Sequence, residues 1–526
     1  MLVDARTLSA GTEIDTDICI IGGGAAGITL ARSFIATGRK VALLESGGLT
    51  PEEQTQALYQ GKDIGQPYTM FSRSRFRYLG GTTNRWGGAW CDLPSPLDFE
   101  HRDGVPYSGW PVTFDEMKPW YEKAQPALRL GPYAYDPEDW GILPDAVPEP
   151  FKGPDLVTRV LQQAPTTRFG KYYRKELERA RNVTVYLNAN ALTLETGDKG
   201  DRVTHVNVGV LPDTRLTVTA NTFILSCGGI EAARLLLLSK GADGKGIGNQ
   251  NDLVGRFFQL HLEYTGGTIH QDDPMRELSF QTGENGAQYK RQGRIRRFVS
   301  YISLADSTKR RMGLSAVRYR FRYPRSPELN VLWRLYHRTA SRTSLLPDLM
   351  RVIRKSPDLA VYIFRRVRYG RNKPPVPLND IPVTCTAEQF PNPESRVFLG
   401  DDLDAFGLRK IVVDWQLTRE DHRGMVAANE ILDEELKRSG FGTLTSAVPE
   451  QEMEWPADMR GDQHHMGTTR MSRDPKTGVV DENCKVHGVS NLFISSSAVF
   501  PTSGTFNPTL TILALAMRLS EHIKQR

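Results

Sequence analysis

The N-terminus of the chain carries a glycine-rich motif set between two short apolar runs. Asp17–Ile21 is rich in β-branched residues, as buried parallel strands are, and the motif GGGAAG follows at once from residue 22. A segment with helical spacing, Ile28–Thr37, ends before Gly38, and Lys40–Glu45 again has the character of a buried strand. The order strand, helix, strand predicts a Rossmann-type unit at the start of an α/β fold.

The spaced glycines of this motif have different physical roles. Gly22 permits the tight turn, Gly24 lets the backbone approach a pyrophosphate, and Gly27 lets helix and strand pack closely. The helix N-terminus offers N–H groups and a positive dipole end to phosphates. Glu45, 18 residues after Gly27, can accept hydrogen bonds from a ribose diol, and an acid there argues against a 2′-phosphate. The expected dinucleotide contacts are Gly22, Gly24, Ala25, Ala26, Gly27, Glu45 and Ser46.

A second glycine-rich loop, from Tyr78 to Gly88, favours a flavin over a nicotinamide. Its sequence YLGGTTNRWGG holds four glycines, two threonines and one tryptophan, which suits flat contact with a planar ring system and backbone hydrogen bonds to it. The alternative is a plain tight turn, which would hardly need that composition. The expected contacts are Gly80, Gly81, Thr82, Thr83, Asn84, Trp86 and Gly87.

Length and composition limit the possible domain number, cellular location and cysteine chemistry. With 526 residues, 39% hydrophobic and 24% charged, the chain is expected to form two or three interlocked domains. It has no run of ~18 apolar residues, and its N-terminal segment lacks the basic and apolar regions of a signal peptide, so we expect a cytoplasmic protein. The five cysteines are scattered without CxxC spacing, so neither a metal site nor a disulfide framework is predicted.

Residues 309–373 differ from the rest of the chain in charge. They hold 18 Lys or Arg and three acids, a local net charge of +15, whereas the whole chain carries +6. One interpretation is a solvated helical insertion packed on its own protein; another is peripheral docking to an anionic membrane or an acidic partner. Nucleic-acid binding is disfavoured, because no recognition module accompanies the charge. Homo-oligomer formation is left open.

Further segments make the chain similar to the glucose–methanol–choline (GMC) oxidoreductase family over nearly its whole length. In the order of that family they are GGGAAG, LGGTTNRWGG, ILSCGGIEAARLLLLS from Ile224, VGRFFQLH from Val254, QHHMGTTRM from Gln463 and GVVDENCKVHGVSNLFISSSAVFPTSGTFNPTLTILALA from Gly478. The resemblance implies a Rossmann-type FAD-binding domain interwoven with an α+β substrate domain built on an antiparallel sheet. It also implies that an alcohol is oxidised while FAD is reduced.

The same resemblance implies a catalytic pair. The histidine of the family's HxxGT motif falls on His464, and its partner falls on Asn507. Imidazole titrates near neutral pH, so it can take the hydroxyl proton, and the carboxamide can hydrogen-bond the same oxygen. The last helix begins just after Pro508, and its dipole would stabilise the reduced flavin. Further residues implied in cofactor binding are Ala191, Cys227, Ser496, Asn507, Pro508 and Thr509, and in substrate binding His465 and Phe506.

Three histidines therefore need separate interpretations. His464 is expected to be the base. For His465, substrate contact and mere packing are equally weighted. His261 is expected to have a structural role at the domain junction.

Two departures from the family pattern bear on the cofactor. Some members attach FAD covalently through the histidine of a Thr-His-Trp sequence, and here the corresponding residues are Asn84, Arg85 and Trp86. Arginine cannot form that bond, so we expect non-covalent FAD. In the segment from Ile494 to Ser497, serines replace an acid of many relatives, and they can donate hydrogen bonds to the cofactor.

The predicted domain boundaries follow the order of these motifs. The FAD domain is expected to comprise 1–95 and 151–260, with 96–150 as a connecting or lid segment. The substrate domain is expected at 261–450, including the basic insertion 309–373. Residues 451–526 are expected to carry the catalytic pair and close the FAD domain.

Asn507 and the segment Ser108–Pro111 resemble the sugar- or pyranose-oxidising bacterial branch of the family. A sugar, glycoside or polyol is therefore the leading substrate class. The electron acceptor, whether oxygen, a quinone or a redox partner, is left open, and with it the choice between oxidase and dehydrogenase. Alternatives are an alcohol or aldehyde oxidase or dehydrogenase of natural-product biosynthesis, a non-redox FAD lyase, and a structural or electron-relay subunit.

Overall fold

The computed structural model of the chain describes residues 1–68, 74–86, 90–140, 151, 153–241, 243–272, 287–291, 294–322 and 379–526. Gly87 and most of the basic segment 309–373 lie outside these ranges. The interpretations of that segment, including membrane or partner docking, stay predictions.

The described strands and helices follow one another in chain order. The strands are β1 (Leu2–Asp4), β2 (Glu13–Ile21), β3 (Val41–Leu44), β4 (Gly61–Asp63), β5 (Trp90–Cys91), β6 (Leu156–Gln163), β7 (Val183–Leu187), β8 (Asn190–Thr196), β9 (Val203–Val210), β10 (Thr214–Leu225), β11 (His261–Gln271), β12 (Ala287–Arg291), β13 (Arg294–Leu304), β14 (Val317–Phe321), β15 (Asp380–Glu388), β16 (Arg396–Leu403), β17 (Arg409–Asp414), β18 (Gly442–Ser446), β19 (Arg460–Gly461) and β20 (Leu492–Ile494). The α-helices are α1 (Ala25–Ser33), α2 (Glu53–Ala57), α3 (Pro96–Phe99), α4 (Phe114–Leu128), α5 (Phe169–Tyr172), α6 (Arg174–Arg179), α7 (Gly228–Leu238), α8 (Asp306–Met312), α9 (Arg419–Arg438) and α10 (Thr509–Lys524).

The first sheet is mainly parallel and is formed by segments from both ends of the chain. Its order is β1-β7-β3-β2-β10-β9-β8, and β20 pairs with β10. The pairs from β1 to β10 and the β10–β20 pair are parallel, whereas β9 and β8 are antiparallel. The central strand β2 is buried from Cys19 to Ile21, as expected for a strand covered on both faces. This sheet confirms the predicted Rossmann-type fold.

The glycine motif sets the distance between β2 and the helix that follows it. Helix α1 begins at Ala25, directly after Gly24. A Cβ on Gly27 would lie 1.9 Å from the carbonyl oxygen of Gly22, so only glycine permits this approach. At the other end of the chain, α10 packs beside α1 and α4, and Tyr121 of α4 lies 3.1 Å from the Thr511 hydroxyl. The C-terminal helix thereby closes the FAD domain.

The second sheet is antiparallel and contains strands from two segments predicted to belong to the FAD domain. Its order is β18-β11-β15-β14-β13-β6-β5, with β12 beside β13 and β19 beside β11. Strand β6 pairs with β13 along its whole length, and β5 pairs with β6. The predicted boundaries at 95 and 151 therefore differ from the observed sheet. The sequence near these boundaries carries no signal of which sheet each strand joins, because pairing partners lie far away along the chain.

The antiparallel sheet has one apolar and one polar face. Side chains such as Leu262, Tyr264, Tyr319 and Val383 belong to a core that also includes residues of α9. Tyr319 donates a hydrogen bond to the Ala428 carbonyl of that helix at 2.6 Å. The alternation of a strand then turns the intervening residues to the opposite, polar face.

A small third sheet, β16-β17-β4, lies outside both main sheets. Among the described residues, no helix is long and apolar enough to cross a membrane. The cytoplasmic location stays a prediction.

Candidate active site

One cavity of about 370 Å³ joins the glycine motif to His464. Its wall includes both predicted glycine-rich loops, the start of α7 and the start of α10. The predicted site residues that line it are Gly22, Gly24, Ala25, Ala26, Glu45, Ser46, Gly81, Thr82, Thr83, Trp86, Ala191, Cys227, His464, His465, Ser496, Pro508 and Thr509. Residues far apart in the sequence thus meet around a single elongated space, as a dinucleotide site requires.

Glu45 lies at the end of β3 in this wall. Its carboxylate accepts hydrogen bonds from the backbone N–H groups of Gly23 and Gly47, both at 2.9 Å. Burial of the carboxyl raises its pKa, and those N–H groups oppose the rise. The carboxylate is held in one orientation within reach of a ligand in the cavity.

A buried ion-pair network, which the sequence did not suggest, forms another part of the wall. Glu231 of α7 accepts from Arg75 at 2.6 Å and from Arg77 at 2.8 Å. The two guanidinium groups also lie over the ring of Tyr59, 4.2 and 4.1 Å from its centroid. Arg234, which lies 3.7 Å from Glu231 and 2.7 Å from Asp404, continues this network, so the wall offers guanidinium groups that can contact a pyrophosphate. Arg75 and Arg77 belong to a segment without a recognisable motif, so only the fold reveals them.

The cavity wall fits FAD on two observations. A Cβ on Gly24 would meet nothing within 4 Å, so the backbone there is open to a ligand, and Gly24 has no side chain to cap the N-terminus of α1. Ser226 also belongs to the cavity wall, and its hydroxyl is buried and has no hydrogen-bond partner. Free N–H groups at a helix N-terminus and an unpaired hydroxyl are groups that phosphates satisfy.

Several predicted contacts lie behind the cavity wall. Gly27 is at the helix–strand contact, and Gly80 has φ +100° with its Cβ position 2.6 Å from the Gly170 nitrogen. Asn84 donates to the Leu79 carbonyl at 2.9 Å and so stabilises the loop. Phe506 is 2% exposed and packs near Phe500 in the core. We therefore correct the expectation for Phe506: its ring supports the segment before Asn507 and does not face the cavity.

His464 belongs to a compact cluster with Asp462 and His261. Its Nδ1 lies 3.1 Å from Nδ1 of His261 and makes a close contact with Oδ2 of Asp462. Nδ1 of His261 lies 3.2 Å from that same Oδ2, and the backbone N–H of His464 donates to Oδ1 of Asp462 at 2.8 Å. The role expected for His261 is thus incomplete, because its ring touches the candidate base.

The contact with Asp462 determines which nitrogen of His464 is free. Oδ2 of the Asp462 carboxylate can only accept, so its close contact with Nδ1 of His464 places a proton on that nitrogen. Consequently Nε2 of His464 is left with its lone pair. His261 completes the cluster, and its Nε2 lies 3.2 Å from the Ser503 carbonyl oxygen.

The charges in this cluster shift the pKa values of Asp462 and His464 in opposite directions. Burial opposes ionisation of Asp462, but His464 and His261 hold its pKa well below the usual range. Burial also lowers the pKa of His464, but the charge and hydrogen bond of Asp462 outweigh it, so the net pKa is raised. The ligand atoms of the three residues lie within 4.8 Å of one another, a spacing that a metal ion also accepts. Hydrogen bonds among the three side chains explain the same short distances by shared protons instead of a metal ion.

His465 differs from its neighbour in every respect that matters for proton transfer. Its Nε2 lies 2.7 Å from the Tyr68 hydroxyl and 3.4 Å from the Ser74 hydroxyl, and its ring stacks on Phe258. Burial, with Arg75 nearby, lowers the pKa of His465 to about 3, so the ring stays neutral. Its contact with substrate stays a prediction.

Asn507 is oriented by the antiparallel sheet. Its Nδ2 donates to the Trp90 carbonyl at 2.6 Å, and its backbone N–H donates to Oδ1 of Asp92 at 2.8 Å. Oδ2 of Asp92 accepts from the Tyr301 hydroxyl at 3.0 Å. Asn507 precedes Pro508 and Thr509, which line the cavity at the start of α10. The antiparallel sheet therefore positions the second predicted catalytic residue.

Comparison with known proteins agrees with this architecture. Residues 17–295 match the family described as FAD dependent oxidoreductase, and residues 391–516 match the family described as GMC oxidoreductase. The chain is 24% identical to paromamine 6′-oxidase from Streptomyces fradiae, with 96% of this chain and 91% of that protein covered. It is 23% identical to the fructose dehydrogenase large subunit from Gluconobacter japonicus, with 97% and 98% covered.

A solved structure shares the fold. Pyridoxine 4-oxidase from Mesorbium loti superposes with a TM-score of 0.53 at 15% identity, over 97% of this chain and 99% of that one. Together, the matched families, the related sequences and the shared fold confirm the predicted cofactor class. The chain belongs to the FAD-dependent oxidoreductases of the GMC type, which act on CH–OH groups.

Proposed function

We propose that the chain oxidises an alcohol group of a carbohydrate, a glycoside or a polyol, with His464 as the base that takes the hydroxyl proton. The observation that carries this proposal is that His464, whose Nδ1 contacts Asp462, lines the same cavity as the glycine motif. Relatives named paromamine 6′-oxidase and fructose dehydrogenase support a carbohydrate alcohol.

The chain's own residues supply the proton chemistry and the positioning. Nε2 of His464 accepts the hydroxyl proton, and the imidazolium that results is stabilised by Asp462. Asn507 holds the alcohol oxygen, since its amide is fixed by Trp90. The glycine motif, Glu45 and the arginines beside Glu231 would hold FAD. When bound there, FAD would supply an acceptor for the hydride that leaves the carbinol carbon.

The experiment that tests this function is an anaerobic screen of the flavin-loaded protein. Sugars, glycosides, polyols and simple alcohols are each mixed with the protein, and loss of the oxidised-flavin absorbance is recorded. We expect rapid bleaching by at least one carbohydrate alcohol and slow bleaching by simple alcohols of equal concentration. Bleaching by simple or hydrophobic alcohols in preference to all carbohydrates would contradict the substrate class.

Replacement of Asp462 by asparagine tests how the base is held. Asp462 raises the pKa of His464, and the reaction needs the neutral imidazole, so the rate falls as pH drops through that pKa. We expect Asp462→Asn to move the acid limb of kcat/KM to lower pH. We also expect kcat to fall by about tenfold or more. A positioned base contributes about 10²–10⁴-fold to the rate, and this variant loses part of that contribution.

The matched control for this variant is Asp458→Asn. Asp458 also accepts from backbone and hydroxyl groups, at Thr265, but on an exposed part of β11. Its pH profile should equal that of the wild type. An acid limb at the same pH in Asp462→Asn and in the wild type would show that Asp462 does not raise the pKa of the base.

A further inference from the structure

The polar face of the antiparallel sheet carries a row of arginines. In β14, Val317, Tyr319 and Phe321 enter the apolar core, so the alternation of the strand places Arg318, Arg320 and Arg322 on the opposite face. The neighbouring strand β15 sets Thr386 beside Arg318 and Thr384 beside Arg320. Guanidinium and hydroxyl groups thus stand side by side.

This row is next to the candidate catalytic pair. NH1 of Arg318 lies 3.4 Å from Oδ2 of Asp92, and the other oxygen of Asp92 accepts the backbone N–H of Asn507. The charge of Arg318 is also among those that lower the pKa of His464. Arg318 and Glu263 influence Arg320 as well, so Arg320 belongs to the same neighbourhood one step further along the strand.

Among the described residues, the arginines of this face outnumber the carboxylates that pair with them. Asp92 already accepts from Asn507 and Tyr301, and Glu263 pairs with Arg460 at 2.9 Å. Within the part of the chain that the structure describes, Arg320 forms no ion pair. Nε of Arg318 and Nε of Arg320 are both buried without a hydrogen-bond partner.

Arg320 is half-buried, but its Nε is enclosed without a hydrogen-bond partner, and a charge that loses water in this way is stabilised by an anion. The cost is visible in Arg320, whose pKa burial and Arg318 lower to about 10. Arg322, at the end of the row, is different: it is exposed, and its Nε donates to the Thr384 hydroxyl at 2.9 Å. The shortage of partners is therefore confined to the buried part of the row, beside the site.

We propose that Arg318 and Arg320 bind a carboxylate of the substrate, so that the alcohol oxidised by this protein belongs to a sugar acid. The fork of an arginine matches a carboxylate with two parallel hydrogen bonds, and a carboxylate removes the charge imbalance of this face. The inference rests on the proposed function, since it places the acid group of the substrate relative to His464 and Asn507.

The test compares acids with their neutral partners by binding, independently of turnover. The flavin-loaded His464→Ala variant, with and without Arg320→Met, is titrated in a calorimeter with glucuronate, galacturonate and gluconate, and with glucose, galactose and glucitol. A phosphorylated sugar, glucose 6-phosphate, is included. At least one carboxylate should bind more tightly than its neutral partner, and Arg320→Met should weaken it about 10- to 100-fold.

Arg320 is the residue to change because Arg318 also supports Asp92 and, through it, Asn507. Arg322→Met is the matched control on the same strand and face, and it should leave binding within about twofold of the unchanged protein. In an otherwise wild-type chain, Arg320→Met should raise KM for the acid far more than it lowers kcat, with FAD content unchanged. Arg320→Lys should restore part of the affinity, because it keeps the charge without the fork.

The results that overturn the inference differ from those that overturn the function. If no carboxylate binds more tightly than its neutral partner, or if Arg320→Met weakens both equally, the carboxylate site is wrong even when carbohydrates bleach the flavin. Preference for the phosphorylated sugar over every carboxylate would also reject it. If an acid binds through Arg320 but no alcohol reduces the flavin, the function is wrong and the anion site stands.

Discussion

Replacing His464 by alanine is expected to slow substrate-driven flavin reduction by about 10²–10⁴-fold while FAD stays bound. The reason is that Asp462 occupies Nδ1 of His464, so Nε2 is the atom left to take the proton. The His464 side chain is 32% exposed, and Asp462 keeps its contact with His261 in the variant, so the protein should still fold. The measurement is the single-turnover rate of bleaching under anaerobic conditions, with FAD content determined on the same sample.

The control for this variant is His270→Ala. His270 is also paired with a carboxylate, at 2.7 Å from Asp380, but it lies at the exposed end of β11, away from His261. Its rate should equal that of the wild type. A His464→Ala protein that retains FAD and is reduced as fast as the wild type would show that proton removal occurs elsewhere.

Alanine at Gly27 and at Gly24 should remove FAD for two different reasons. At Gly27 the new Cβ would lie 1.9 Å from a backbone oxygen, so α1 must move away from β2. We expect a less stable protein, by about 1–3 kcal/mol or more, purified without cofactor. At Gly24 the new Cβ meets only open cavity, so the apoprotein should keep its stability and lose about 10- to 100-fold in FAD affinity.

Gly197 provides the control for both. Its Cβ position is also free of neighbours, but it lies in the turn between β8 and β9, away from the cavity wall. Gly197→Ala should change neither the melting temperature nor FAD content. Equal FAD content in Gly24→Ala and the wild type would mean that the cofactor does not approach this turn.

The sequence predicts the elements whose signals are local. The glycine motif requires a strand before it and a helix after it, and β2, α1 and β3 follow in that order. The amphipathic stretch after Pro508 predicts a helix over Thr509–Lys524, the bounds that α10 has. The segment after Gly229 predicts a helix from Ile230, and helix α7 starts two residues earlier, at Gly228, with Cys227 as its N-cap.

Features that depend on contacts between segments far apart in the sequence could not be predicted from local patterns. Strands β5 and β6 join the antiparallel sheet through β13, which is more than a hundred residues away along the chain. Asp462 stands two residues before His464, and that short spacing is the one signal that could have identified it. The arginines of β14 look like an ordinary alternating strand until the register shows which face they occupy.

The site also explains why the two domains are interwoven. His464 follows β19 of the antiparallel sheet, whereas Pro508 and Thr509 begin a helix of the FAD domain. Asn507 is tied back to β5 by its amide and to Asp92 by its backbone. In the proposed function, contacts between the two sheets thus align the alcohol with the cofactor. A change in either sheet that shifts this junction should affect flavin reduction before it affects FAD binding.

The most direct measurement is an anaerobic single turnover with a substrate deuterated at the carbinol carbon. Hydride removal from that carbon predicts one carbonyl product formed for each flavin bleached, and a bleaching rate that deuterium lowers severalfold. Product that forms while the flavin stays oxidised would contradict hydride transfer from the alcohol to the flavin. The same conclusion would follow if chemistry limits the rate and deuterium leaves the bleaching rate unchanged.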